Sequence, residues 1–436
     1  MLDQSIEKAS EKASGWEDKK RVLFMPESAS LAHLGRLLTL AQGLPLDRYV
    51  VSFACDRSLR SWVPLAFQWH SSSSLPPQEF RDRLDRGQTL LDEELIRKQV
   101  NEDLALFSEI RPAAVVGDFR PSLAISAPLA GVHYINVVSA HWSPWSHIPL
   151  KSPGTLQTWW GRALGHRLGK ALVDTFLPLG CMLQSRPFNR VRQAYGLPPL
   201  PDNIRYIYAG GDTVLYPDLP KLFPTPGAPK SHHHIGPVLW EPPIPLPSWW
   251  NSVPKDRPCV FVSVGSTGHW DAMERVVRAL RKLPVVTLVA TSGRGAIESV
   301  PNQVFVADYL PGLETCKRAD LMICNGGAGT VYQALSLAVP VLGVAANMDQ
   351  MSVMAPVEEH GAGRCIPVGL ANRTDWAAEI MNLLSTPTPL IRTRGIAQQM
   401  AGYSSAIAFQ NILSQKTNHT DFISETPAIH TVPVSY

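Results

Sequence analysis

Leu321 to Gln350 reads LMICNGGAGTVYQALSLAVPVLGVAANMDQ, and this stretch decides the fold. A short apolar run, Leu321 to Cys324, enters the small-residue turn Asn325-Gly326-Gly327-Ala328-Gly329-Thr330 and then a helical pattern over 329–337. A second apolar run over 339–344 feeds another helix over 350–359. Strand, tight turn, helix, strand is the repeat of a parallel sheet covered on both faces. Small residues let backbone N–H groups approach a ligand closely, and a helix start adds positive potential, so the turn suits an anion such as a diphosphate. Glycines needed only to make a tight turn would read the same way. The pattern matches neither the phosphate loop G-x-x-x-x-G-K-[ST] nor a strict G-x-G-x-x-G.

Working outward, the same rhythm fills both halves of the chain. Upstream of the turn lie a strand at Cys259 to Val264, a helix over 270–283, and strands at 285–290 and 304–306. Helical stretches over 374–384 and 390–414 follow it. The first half opens with Val22 to Met25, a helix from Ser28 to Leu44, and Tyr49 to Ala54. A third strand near Ala66 to Trp69, a leucine-striped helix over 87–109, and strands at Ala113 to Val116 and Tyr134 to Val138 continue it. Residues 151–200 interrupt the alternation with a long helical insert.

Between the halves lies proline. The chain has 436 residues and 38 prolines, and twelve of these fall within 217–258. Proline fixes φ and removes a donor, so this stretch reads as a stiff extended strap rather than helix or central strand. The expected organisation is an N-terminal extension (1–20), a first α/β domain (21–235), a linker (236–256), a second α/β domain (257–415) and a loose tail (416–436). His232-His233-His234 is expected in a surface loop of the strap.

Composition narrows the function. The formal net charge is +3, so a polyanion partner such as nucleic acid is excluded from the reading. Six scattered cysteines without C-x-x-C or zinc spacing read as buried thiols of a reducing cytoplasm. The charged start MLDQSIEKASEKASGWEDKK has no apolar core of a signal peptide, and no run reaches the 18 or so apolar residues of a membrane span. No metal site is expected.

The 321–350 stretch resembles the donor signature of the UDP-glycosyltransferase superfamily, whose members are inverting, nucleotide-sugar-dependent enzymes of the GT-B fold. There a strand leads to His-x-Gly or His-Gly-Gly, a small residue, Ser or Thr, then a Glu, a Gly-x-Pro and an Asp-Gln pair. Gly326-Gly327, Thr330, Val339-Pro340 and Asp349-Gln350 match these places. DFRPSLAISAPLAGVHYINV (118–137) is similar to the family's Asp-bearing unit, and IGPVLW (235–240) to its interdomain segment. The resemblance covers most of the chain. It implies two Rossmann-like αβα domains facing across a cleft.

The resemblance also implies roles. Gly265, Ser266 and Thr267, with the turn Asn325, Gly326, Gly327, Ala328, Gly329 and Thr330, would meet the phosphates. Tyr309 and Leu310 stand where the family stacks and pairs the base. Asp349 and Gln350 would bond sugar hydroxyls. Two positions depart: the family's phosphate-binding His is Asn325, and its ribose-binding Glu is Gln333. Both changes replace a chargeable partner with a neutral one, so looser nucleotide binding is expected. His33, in Ala-His-Leu-Gly-Arg, resembles the family's general base, with Arg36 where the family has Pro. Asp118 resembles the carboxylate that orients this base.

The implied activity is metal-independent transfer from a nucleoside-diphosphate sugar, UDP-linked by family analogy, to a hydroxyl of a small lipophilic acceptor. No cofactor beyond that co-substrate is expected. Trp142 and Trp145 are the acceptor-side candidates, within an aromatic and basic region that includes Trp159, Trp160, Arg162, His166, Arg167, Lys170 and Phe176. That region raises the expectation of a peripheral membrane contact with anionic lipid. The alternatives are a lipid-linked sugar transferase, an epimerase of the same fold, and a non-catalytic accessory protein.

Overall fold

The computed structural model describes residues 19–28, 30–86, 88–151, 165–265 and 267–418. Two all-parallel sheets organise them. The first holds β1 (Lys20–Pro26), β2 (Tyr49–Cys55), β3 (Gln68–Ser71), β4 (Ala114–Asp118), β5 (His133–Val137), β6 (Thr213–Tyr216) and β7 (His232–His234), in the order β3-β2-β1-β4-β5-β6-β7. The second holds β8 (Cys259–Ser263), β9 (Val286–Ala290), β10 (Val304–Ala307), β11 (Leu321–Cys324), β12 (Val341–Ala345) and β13 (Gly363–Pro367), in the order β10-β9-β8-β11-β12-β13. β2, β9, β11 and β12 are buried along their whole length, which is why they read as continuous apolar runs rather than alternating ones.

Each sheet reverses its winding once. The chain runs from β1 outward through β2 and β3, then returns to β4 on the other side of β1. The second sheet does the same between β8 and β11. In open α/β sheets the crevice beyond the carboxyl ends of such strands is where ligands sit. The two crevices here are flanked by His33 and Asp118 in one domain, and by Gly265, Thr267 and the 325–330 turn in the other.

The triple histidine forms β7, an edge strand paired in parallel with β6, and not a surface loop. His232 Nδ1 lies 2.6 Å from the Tyr216 hydroxyl, so side-chain bonding as well as ladder pairing holds it. The helical stretch expected over 390–414 is two helices, Pro387–Met400 and Ser405–Asn418, separated by the turn around Gly402. The second of these leaves the C-terminal domain and packs against the first helix, Leu31–Gln42, of the N-terminal domain. Phe409 and Leu413 are fully buried there in a cluster with Phe24, Leu37 and Phe53, and Lys20 Nζ donates to Thr417 O at 2.8 Å.

The proline-rich strap is pinned on both sides. Trp240 packs on Gly35, where a Cβ would come within 2.5 Å of the indole, and meets Trp62 edge to face. Its carbonyl accepts from Gln333 Nε2 at 2.6 Å, and Glu241 Oε2 accepts from Leu313 N at 2.7 Å. Gly35 is therefore required at the start of the first helix, because the indole occupies the place of a side chain.

Candidate functional site

The N-terminal half of the site begins with a helix cap. Ser30 accepts from Ala32 N and starts the helix Leu31–Gln42, placing His33 in the first turn beyond β1. Asp118 is the last residue of β4, adjacent to β1 in the sheet. His33 Nδ1 lies 2.7 Å from Asp118 Oδ1, with the histidine 16% exposed and the aspartate 1%. Arg36, one turn further along the helix, grips the same carboxylate with a fork. Its Nε donates to Oδ2 and its Nη2 to Oδ1, both at 2.7 Å, and Nη1 reaches Ser139 Oγ at 3.2 Å. Burial by itself would raise the Asp118 carboxyl. The charges and hydrogen bonds of Arg36 and His33 outweigh it and hold Asp118 below its usual range.

Phe119 follows with φ +56, a left-handed backbone that a bulky residue rarely adopts. Its ring stacks between His33 (centroids 5.2 Å apart) and Tyr208 (4.5 Å), with Trp142 at its edge (6.4 Å). The next residue, Arg120, is 1% exposed and pairs with the buried Asp103 at 2.9 Å. Ser122 and Ser126 donate to the other oxygen of Asp103, and Arg120 Nη1 donates to Ser73 O. This satisfied network fixes the 118–122 turn and holds Phe119 in its strained conformation.

The C-terminal half is built from amides. Gly265 has φ +66, and a Cβ on it would come within 2.8 Å of Asn325 Nδ2. Asn325 is 5% exposed; its amide donates to Thr267 Oγ1 at 3.2 Å, and its carbonyl accepts from Gly327 N at 3.1 Å. Gln350 Nε2 donates to the same Thr267 hydroxyl at 3.0 Å, and its carbonyl accepts from Ala346 N. Asn325, Thr267 and Gln350 thus knit the two turns together, with Gln350 1% exposed. The helix Ala328–Ser336 starts from Gly327, and Gly329 is open, with nothing within 4 Å of a Cβ built on it. The first-turn amides of 328–330 have no partner within the helix and face this opening with the helix's positive end. Arg294 Nη1 braces the other turn through Gly268 O at 2.6 Å.

Other candidates are placed as follows. Tyr309 is 47% exposed, with its ring available, while Leu310 is buried. Gln333 is buried against Gly312 and bonded to the strap carbonyl of Trp240. Trp145 meets Tyr206 and His232 edge on, away from the His33 cluster. Ser266, Trp159, Trp160 and Arg162 lie outside the described residues, as do the side chains of His166, Arg167 and Lys170. Phe176 is exposed on the helix Gly165–Ala194.

The two halves meet through bonds that no local pattern announces. Asp349 Oδ1 accepts from both His141 Nε2 and Trp142 Nε1 at 2.8 Å, across the cleft. Crowding by the two domains acts to raise the Asp349 carboxyl. These hydrogen bonds and the charges of His141 and Arg36 outweigh it, holding Asp349 down at about 2. Tyr332 donates to the buried Asp218 at 2.5 Å, and Ala140 N donates to the other oxygen of Asp218. Sequence reasoning missed His141, Asp218, Tyr332, Phe119 and the grip of Arg36. The one local signal was an aromatic directly after Asp118. Among the described residues no cluster of His, Cys, Asp and Glu could hold a metal ion.

With a His–Asp pair at one switch point and the start of a helix with free first-turn amides at the other, the two parallel-sheet domains have the architecture of a GT-B fold. Residues 274–406 match the model of the Erythromycin biosynthesis protein CIII-like, C-terminal domain. The chain is 41% identical over 368 residues to a PGL/p-HBAD biosynthesis rhamnosyltransferase of Mycobacterium bovis (strain BCG / Pasteur 1173P2), covering 84% of this chain and 81% of the relative. It is 38% identical over 368 residues to a PGL/p-HBAD biosynthesis glycosyltransferase of Mycobacterium tuberculosis (strain ATCC 25177 / H37Ra), covering 84% and 85%. Among solved structures, the spinosyn rhamnosyltransferase SpnG complexed with thymidine diphosphate superposes with a TM-score of 0.65 at 18% identity, over 90% of this chain and all of that one. The chain belongs to the glycosyltransferase superfamily suggested by its sequence and, within it, to the family of these PGL/p-HBAD transferases.

Proposed function

We propose that this enzyme transfers a deoxyhexose, with inversion, from a nucleoside-diphosphate sugar to a hydroxyl of a small lipophilic acceptor. The rhamnosyltransferase name of the 41% identical relative supports rhamnose as the sugar. The thymidine diphosphate in the SpnG complex supports a thymidine carrier over the uridine carrier that the sequence resemblance implies. The observation that carries the reading is the 2.7 Å contact of His33 Nδ1 with buried Asp118, at the switch point of the first sheet.

In this reading Nδ1 carries the ring proton and donates it to Asp118, so Nε2 is the basic nitrogen. Nε2 takes the acceptor's hydroxyl proton as the acceptor oxygen attacks the anomeric carbon. The bond from that carbon to the diphosphate breaks, and the nucleoside diphosphate leaves with the electron pair. Its growing negative charge meets the amides of 328–330 and the Thr267 hydroxyl. Phe119, Tyr208 and Trp142 give the acceptor an aromatic wall beside the base. Tyr309 offers its exposed ring to the nucleobase.

The test is transfer by the purified protein from UDP-, TDP- and GDP-rhamnose to a panel of lipophilic alcohols, read as product mass and released nucleoside diphosphate. Preferred donors also reveal themselves by thermal shift, since a ligand at 100 times its Kd stabilises by about 2.7 kcal/mol. His33→Ala and Asp118→Ala should abolish transfer while keeping the donor's thermal shift. Transfer that survives both changes rules this base out.

A second reading, an acceptor presented at a membrane surface, is favoured by one observation. Phe176, Leu179 and Leu183 are each about half exposed along one stripe of the helix Gly165–Ala194. Among the described residues no helix is long and apolar enough to cross a membrane. Co-sedimentation with anionic vesicles, and its loss on changing the three residues to Ser, decides between the two.

A further inference from the structure

Arg36 has no counterpart in a plain His–Asp pair, and its geometry is specific. A carboxylate that only orients a histidine uses one lone pair, and at 1% exposure the rest of Asp118 would be buried without donors. Arg36 fills them with a two-point fork. The same fork brings Nη2 to 2.9 Å from His33 Nδ1, so the ring is flanked by a carboxylate and a guanidinium together.

We propose that Arg36 acts on the reaction through His33 and Asp118, neutralising the carboxylate and opposing build-up of positive charge on the ring. This rests on His33 being the base. The charged groups touching the ring are Asp118, from the end of β4, and Arg36, from the ring's own helix, while Phe119 covers one face. Asp218 and Asp349 act on the guanidinium from farther away. Without Arg36, an imidazolium would face the full charge of Asp118. With it, the neighbouring pair is neutral, and a proton gained by His33 leaves a net positive cluster beside the cleft. That proton is then readily given up once the acceptor has been glycosylated. Arg36 touches neither substrate in this account, and its contribution is electrostatic.

The experiment needs no substrate. The full-length protein is labelled with ¹⁵N-histidine, the His33 signal is assigned by its absence in His33→Gln, and its titration is followed by NMR. In Arg36→Ala the signal should titrate about one pH unit or more above wild type, because an opposing charge in contact has been removed. Arg36→Gln should do the same while keeping hydrogen bonds to Asp118, and it serves if the alanine variant does not fold. Arg36→Lys keeps the charge without the fork and should stay close to wild type. In the transfer assay the acid limb of kcat/KM moves to higher pH in the neutral variants, with little change on the alkaline side. A His33 titration that stays put or moves down in both neutral variants overturns the proposal, as does uniform loss of activity at every pH. Transfer surviving in His33→Ala refutes the base assignment instead. An inactive His33→Ala with an unmoved titration in the Arg36 variants refutes only the role of Arg36.

Discussion

Phe409→Ala tests the path of the chain from the C-terminal domain back to the N-terminal domain. Phe409 is fully buried on the helix Ser405–Asn418, with its ring 5.9 Å from that of Phe24 and tilted by 57°. Its cluster contains β1 and β2 residues and the leucines of the helix that carries His33, and no residue of the second sheet. Removing a buried phenyl ring without collapse of the site costs about 3–5 kcal/mol. The whole stability of such a domain is about 5–15 kcal/mol, so the loss is a large share of it. At about 1.4 kcal/mol per tenfold, a loss of about 4 kcal/mol raises the open population roughly a thousandfold. Hydrogen exchange read by mass spectrometry localises the effect. Peptides spanning β1, β2 and 31–42 should lose protection by about that factor, while those spanning β8, β9 and β11 keep theirs. A total loss below about 1 kcal/mol, or protection lost first in the second sheet, would refute this packing and return the last helix to the C-terminal domain.

Three further outcomes follow from the geometry. Arg120→Met leaves Asp103 buried without its cation and should cost about 3–5 kcal/mol by urea unfolding, with much of it restored in Arg120→Met/Asp103→Leu; an unchanged midpoint contradicts the buried pair. Gly265→Ala imposes a side chain at φ +66 and drives its Cβ against Asn325, costing about 1–2 kcal/mol in backbone alone. Its KM for nucleotide sugar should rise while the His33 titration stays unchanged, and an unaltered KM separates this turn from the donor site. Asp349 and Asp118 are both depressed, so their contribution to stability is full above the unfolded carboxylate value of about 3.9 and is lost as pH falls. For Asp349 that window runs from about pH 4 to about 2, and Asp349→Asn should flatten the fall in urea midpoint across it; an identical slope in the variant sinks the assignment.

What was legible in the sequence was local. The two parallel-sheet domains were readable because β2, β9, β11 and β12 are buried on both faces and therefore apolar apart from Ser52 and Thr287, with a turn and a helix directly after β11 and β12. The 325–330 turn was readable because small residues at a strand-to-helix junction have few other uses. His33 and Asp118 could be proposed as a pair because they resemble the family's base and its orienting carboxylate, and each ends or follows a strand. The sequence could also misdirect: the proline density of 217–258 hid β7, since an edge strand three residues long needs only a few ladder bonds.

Chain topology decided the rest. Arg36 meets Asp118 across 82 residues, Tyr332 meets Asp218 across 114, and Asp349 meets His141 across 208. No periodicity links such positions, because they come together only where two sheets reverse their winding and face each other. Gln350, which its motif implies as a sugar ligand, bonds Ala346 N and Thr267 Oγ1. Arg36 looked like a departure from a family pattern, and it grips the carboxylate beside His33 with a two-point fork. The amino-acid sequence by itself determined most of the strands, helices and turns, which depend on residues a few positions apart, and through its resemblance the class of chemistry. Only the tertiary structure decided the electrostatics around His33, the bonds between the two domains and the domain against which the helix Ser405–Asn418 packs, because charge and burial depend on distance in space.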